Sequence, residues 1–318
     1  MKGRKNGFLL LLVGAAVACG QQTLYARPPG IDPPTDRDTI AWNNYFAAWE
    51  AADPEDAQLW IDRFNHLFNR SRHSVMVLRT AGDTEPRPGE SPERLILQDS
   101  TGAEAGSLSE RIEYDESLLA RAVEAIDRGI ALHPDRLDMR LGRAAAFRLA
   151  GKYDRMVESL CLLTDRAEQN KGQWIGADGT TAQTVTPKEL IADYLQDYAN
   201  TLFDALSSEP DDPASAALGR LAEREAAYCP ESPVALNNAA VWHYTAGRPE
   251  EALRWFIRAS EAAPEDALII LNIGHLYVSL GNAEQARIWW RKLLEFPDKT
   301  YRRHAGELLE RLDNAPAR

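Results

Sequence analysis

Gly247, Ala252 and Phe256 are followed, 34 residues later, by Gly281, Ala286 and Trp290, and the doublet Trp255-Phe256 returns as Trp289-Trp290. That period is the length of one helix–turn–helix unit. A single unit cannot bury its apolar face, so copies must stack into a solenoid. The period therefore predicts an all-α chain built from helical hairpins.

The residues that recur are those a close helix pair needs. Where two antiparallel helices cross, side chains must be small. The first helix supplies Ala240 and Gly274, and its partner supplies Ala252 and Ala286. Larger groups flank them: Leu236 and Ile270, Tyr277, then Phe256 and Trp290. Gly247 and Gly281 fall where the first helix should end, at a C-cap of positive φ. Pro264 and Pro297 stop the second helix. Asn238 and Asn272 recur in register.

This pattern, over about residues 230–297, resembles the tetratricopeptide repeat family. A looser match covers 120–165, where Ala122 and Met156 are again one period apart and Pro134 ends a helix. Departures are His243 at the usual Tyr place, and Met156 and Leu293 where Ala is usual. The resemblance implies a groove lined by the first helix of each unit. Carried onto this chain, the groove positions are Val234, Asn237, Val241, Tyr244 and Thr245, then Leu268, Leu271, His275, Val278 and Ser279. In the looser match they fall near Leu141, Ala145 and Arg148. The expected occupant is an extended or helical segment of another protein, the alternative being the chain's own hairpin or loop. The overall pattern also resembles exported tetratricopeptide lipoproteins of Gram-negative envelopes, which implies a location more than an activity, while the repeat itself points to a scaffold or adaptor.

The ends and gaps of the repeat set the expected organisation. Residues 1–18 read as a signal peptide: Lys2, Arg4 and Lys5 precede the short apolar run Phe8 to Ala18. Ala16-Val17-Ala18-Cys19 resembles a lipobox, making Cys19 the expected lipidation site. Ordinary cleavage after Ala18 would instead give a soluble periplasmic or secreted protein. Residues 19–39, with Pro28, Pro29, Pro33 and Pro34, read as a tether that cannot be helical. Residues 40–72 read as a divergent helical hairpin, with Trp42, Tyr45, Phe46 and Trp49 on one face. Residues 73–112 break the helical rhythm. The runs Val75–Leu78 and Leu95–Leu97 predict a small β-hairpin around a long loop. Residues 113–312 are expected to continue the solenoid and end in a capping helix near 301–312.

Composition excludes several functions. The net charge of −12 repels nucleic-acid phosphates and disfavours a broad electrostatic hold on anionic membranes. Membrane attachment is therefore expected through the lipid alone. Of the three cysteines, Cys161 and Cys229 are expected as small buried residues, with a disulfide as the lesser alternative.

None of the six histidines stands at metal-ligand spacing, and neither a nucleophile elbow nor a phosphate-binding Gly loop occurs. No catalytic residue, metal or cofactor is expected. The remaining candidate is Trp174, in a Gly-rich polar loop. Exposed, it could anchor a partner or a sugar ring, giving a glycan- or peptide-capture protein that uses this loop and the hairpin. Packed against a helix, it would have no such role.

Overall fold

The computed structural model describes residues 33–34, 39–83, 90–177, 179, 187–206 and 212–314. The expected signal peptide, Cys19 and most of the expected tether lie outside them. The chain divides into two compact units between Pro187 and Lys188.

The first unit opens with a hairpin of α1 (Thr39–Ala52) and α2 (Ala57–Ser71). Asp56 makes the turn between them. Its carboxylate accepts from the Gln58 amide at the start of α2 (2.9 Å) and from the Trp49 indole of α1 (3.1 Å). Trp49, Leu59, Trp60, Phe64 and Leu67 are buried and share one core with Ala122, Ile126 and Met139.

Three strands are inserted between α2 and the next helix: β1 (Arg72–Thr80), β2 (Glu90–Gln98) and β3 (Glu104–Tyr114). Their order is β1-β3-β2, antiparallel throughout. This corrects the expected pairing. The runs at Val75–Leu78 and Leu95–Leu97 do not pair with each other. Both pair with β3, so that Leu78 and Leu95 each face Leu108. The tight hairpin is β2–β3, closed by Asp99, which accepts from the amides of Thr101 (2.8 Å) and Ala103 (3.1 Å), and by Gly102 at φ +83. On one face Arg79 is buried between Asp83 and Glu90, and Ser109 donates to Glu90.

The insertion leaves the helices in register. The amide of Asp115 donates to the Ser71 carbonyl (2.8 Å), tying the exit of β3 to the end of α2. Asp115 then caps α3 (Glu116–Leu132), which packs antiparallel on α2 with Gly129 against Trp60. Helices α4 (Leu137–Leu149) and α5 (Tyr153–Gln169) form the next hairpin, turned at Gly151 (φ +66). Arg143 is buried and donates to Asp127 (2.7 Å) and to Ser159.

The second unit holds α6 (Pro187–Ala205), α7 (Pro213–Tyr228), α8 (Pro233–Thr245), α9 (Pro249–Ala262), α10 (Ala267–Ser279), α11 (Ala283–Leu293) and α12 (Lys299–Asp313). Gly247 and Gly281 both have positive φ, +73 and +75, and end α8 and α10. Ala240, Ala252 and Ala286 have no exposed surface. At Gly274 the crossing is tighter still, with the Trp290 indole lying where a Cβ would sit. A matching contact joins α7 and α8, where Gly219 receives the Trp242 ring. In both, the indole N–H donates to a carbonyl about one turn before the glycine: Leu271 (3.2 Å) and Ser215 (3.0 Å). Helix α12 covers the last repeat with Ala305 and Leu308.

Candidate functional site

Helices α8 and α10 are the first helices of the two clear repeats, and their inner sides share one core. Leu236, Ala239 and Ala240 pack with Ile269, Ile273 and Leu276. The opposite side of each helix is uncovered. Val234 and Tyr244 on α8 are 50% and 52% exposed, and Leu268 and Val278 on α10 are 50% and 41%. Asn237 and Val241 lie between the first pair and are half-buried. Leu271 is half-buried and His275 exposed between the second pair. The two sets follow the same spacing, i, i+3, i+7 and i+10, which places each on one helical face.

Neither helix carries a Lys, Arg, Asp or Glu. A surface of this make-up recognises apolar side chains and offers few hydrogen bonds. Its polar groups are Asn237, His275 and the hydroxyl of Tyr244. The Asn237 Oδ1 is buried and has no hydrogen-bond partner among the described residues. His275 sits edge-on to Trp290 at 5.1 Å. Its pKa is lowered by desolvation and then by His304, which favours the neutral ring.

Of the looser-match positions, Leu141 and Ala145 are buried and not available to a groove, and Arg148 belongs with them to the first unit. There it is half-buried and lines a cavity of about 450 Å³ with Arg111, Tyr114 and Lys152. Trp174 is a correction. It is 1% exposed and not available on a loop. Asp135 explains this: it binds Arg166 (2.9 Å) and Asn170 (2.8 Å), fixing the loop's start. A parallel bridge between Arg136 and Ile175 fixes the residues beyond. Arg166, through its hydrogen bonds, holds the Asp135 carboxyl below the usual range. The capture reading based on an exposed Trp174 loses its anchor.

Behind the α8 face is a buried polar network that the helical pattern did not reveal. Glu225 of α7 is 2% exposed, and its carboxylate accepts from Asn238 of α8 (3.0 Å). Asn238 also donates to Gln196 of α6 (2.8 Å). Burial raises the Glu225 pKa to about 7, and the Asn238 bond offsets only part of that rise. His243, at the usual tyrosine place, is buried beside Trp242 (4.7 Å) and Trp255 (6.2 Å), and desolvation lowers its pKa. Cys161 and Cys229 are both thiols. No group of three His, Cys, Asp or Glu side chains converges as a metal site among the described residues. No described helix is long and apolar enough to cross a membrane.

Stacked helical hairpins with small-residue crossings and glycine caps define an α-hairpin repeat protein. A family profile described as "Tetratricopeptide repeat" matches residues 234–262, which span α8 and α9. That match covers one helical hairpin of the second unit, and over it the chain is similar to tetratricopeptide repeats. No curated protein matches. Among solved structures, the chain is similar to YrrB, described as a TPR protein with an unusual peptide-binding site. The two share 15% identity over 82% of this chain and 97% of that one, with a TM-score of 0.37. It is also similar to a thermophilic TPR protein from Thermus thermophilus: 14% identity, 60% and 90% covered, TM-score 0.34. A third is PilW, a type IV pilus biogenesis factor: 15% identity, 83% and 89% covered, TM-score 0.29.

Proposed function

We propose that this protein is a non-enzymatic scaffold of the bacterial cell envelope that binds a segment of another envelope protein on the exposed face of α8 and α10. One observation carries the proposal: an uncharged, largely apolar stripe repeats in the same register on both helices, exposed at Val234, Tyr244, Leu268, His275 and Val278 and half-buried between. Buried helix faces need such side chains, whereas a solvated face without a partner favours charge. The stripe suits an apolar segment whose backbone supplies the donor for Asn237.

Photo-crosslinking in cells from positions 244 and 275 tests this. One discrete envelope protein captured at both positions is the expected result. Crosslinks confined to the chain itself would reject the proposal. With that partner purified, Tyr244→Glu should weaken binding roughly tenfold or more, since an exposed aromatic anchor commonly contributes at least that much. Raising the salt should change the affinity little, because the face has no charge to screen.

The envelope location rests on sequence: the basic start, the apolar run and Cys19. In this proposal a lipid on Cys19 is the only membrane attachment. A radiolabelled fatty acid should enter the wild-type protein and not a Cys19→Ser variant. Equal labelling of the two would discard the anchor, and an unlabelled protein in the periplasmic fraction would point to ordinary cleavage.

A further inference from the structure

The first unit carries a second surface of opposite character. Between α1, α2 and α3 lies a cleft of about 470 Å³ with an apolar floor of Trp60, Leu67 and Ala125. Its rims are basic. Arg63 stands on α2, and Arg121 and Arg128 on α3. Arg70 extends the α2 rim, because residues 60, 63, 67 and 70 share one helical face. Four arginines thus gather here in a chain of net charge −12.

Two of them are unspent. Arg63 is paired with Glu50 (2.7 Å). Among the described residues, Arg121 and Arg128 make no hydrogen bond or ion pair, even though Glu124 lies between them on the same helix. They are seven residues apart, which is two turns, or about 10.5 Å along the axis. Arg63 and Arg70 repeat that spacing on the facing helix. The cleft thus runs between two rows of arginines, of which Arg63 is neutralised by Glu50 while Arg121 and Arg128 flank Glu124. Its field is felt inside the fold: His66, stacked on Trp42 at 4.3 Å, has its pKa lowered to about 4, by burial first and then by Arg70 and Arg121.

We infer that this cleft binds an acidic amphipathic helix of another protein, with carboxylates two turns apart on Arg121 and Arg128 and an apolar stripe on Leu67 and Ala125. Guanidinium groups bind carboxylates through two parallel N–H···O bonds, so this pair of arginines fixes both position and orientation. A helix matches because its own i, i+7 spacing equals that of the arginines. This surface is independent of the α8 and α10 face and uses charge where that one uses apolar contact.

The test uses the full-length protein and a fluorescein-labelled designed peptide of about 18 residues, with Glu at i and i+7 on one side of a leucine stripe. Its partner peptide has Gln in place of Glu. Fluorescence anisotropy at low salt should show the Glu peptide binding at least roughly tenfold more tightly than the Gln peptide, with the advantage lost at high salt. The peptide should gain helical circular dichroism on binding. Arg121→Glu with Arg128→Glu should reduce affinity at least roughly tenfold, while Arg121→Lys with Arg128→Lys should keep most of it. Both arginines are exposed, so thermal unfolding of the reversal variant should match wild type. Tyr244→Glu should leave this affinity unchanged, which separates this surface from the α8 and α10 face. Equal binding of the two peptides, no binding, or an unaffected reversal variant would overturn the inference. Complete competition by millimolar inorganic phosphate would replace the helix with a small oxyanion.

Discussion

Gly274→Ala is expected to lower the stability of the second unit by about 1–3 kcal/mol, although alanine is the better helix former. The added Cβ would lie 2.1 Å from the Trp290 indole nitrogen and 2.4 Å from its Cδ1. The ring cannot easily retreat. It is 3% exposed and held by its bond to the Leu271 carbonyl. Exchanging glycine for alanine in a helix normally gains up to about 1 kcal/mol, so the clash must exceed that gain before any loss is seen. Gly306 of α12 supplies the control. Nothing lies within 4 Å of its Cβ position. Gly306→Ala should therefore be neutral or stabilising by up to about 1 kcal/mol. Chemical denaturation of the two variants checks the pair. A Gly274→Ala variant as stable as Gly306→Ala would mean that α10 and α11 are not packed as described.

Glu225→Gln should stabilise the protein at pH 8 by up to about 3 kcal/mol while changing little at pH 4. Burial raises the folded-state pKa from 4.5 to about 7. The unfolded chain therefore releases this proton first. Over that interval the folded state holds more protons, and stability falls as pH rises from about 4.5 to about 7. Above it, both states are ionised and the loss is complete. Glutamine keeps the acceptor for Asn238 and never ionises. The difference between variant and wild type should grow across that window and then level off. A difference independent of pH would show that Glu225 is solvated in the folded protein.

What sequence made legible depended on how far each contact reached. Gly247 and Gly281 were readable because a helix end leaves a local mark, and both have the positive φ the pattern called for. Ala252 and Ala286 were readable because only small side chains fit a crossing that recurs. The third strand was not. Glu104–Tyr114 carries three glutamates and an arginine, and its buried residues include Ser107 and Ser109, whose burial is made possible by partners such as Glu90, distant in sequence. The alternation of Leu108, Glu110 and Ile112 with Ser107, Ser109 and Arg111, following the Asp99–Gly102 turn, was the one signal available. Trp174 escaped for a similar reason: the Asp135 network that folds its loop inward joins residues about 35 apart. Glu225 looks like any solvated helix carboxylate until α8 is laid against it. The positions mapped to the groove on α8 and α10 were legible as a spacing. Their exposure is a property of packing alone.

The strand order β1-β3-β2 has a consequence for how the chain is made. As the polypeptide leaves the ribosome, β1 appears first and β2 second, yet neither pairs with the other. Both wait for β3, and the latch between Asp115 and Ser71 waits for the residue just beyond it. Until then Val75 to Leu78 travels as a bare strand with no charged side chain. Such an edge readily joins other strands. The nascent protein is thus most exposed to wrong partners while β1 is out and β3 is still unmade, and a holdase that masks β1 would protect this interval of synthesis.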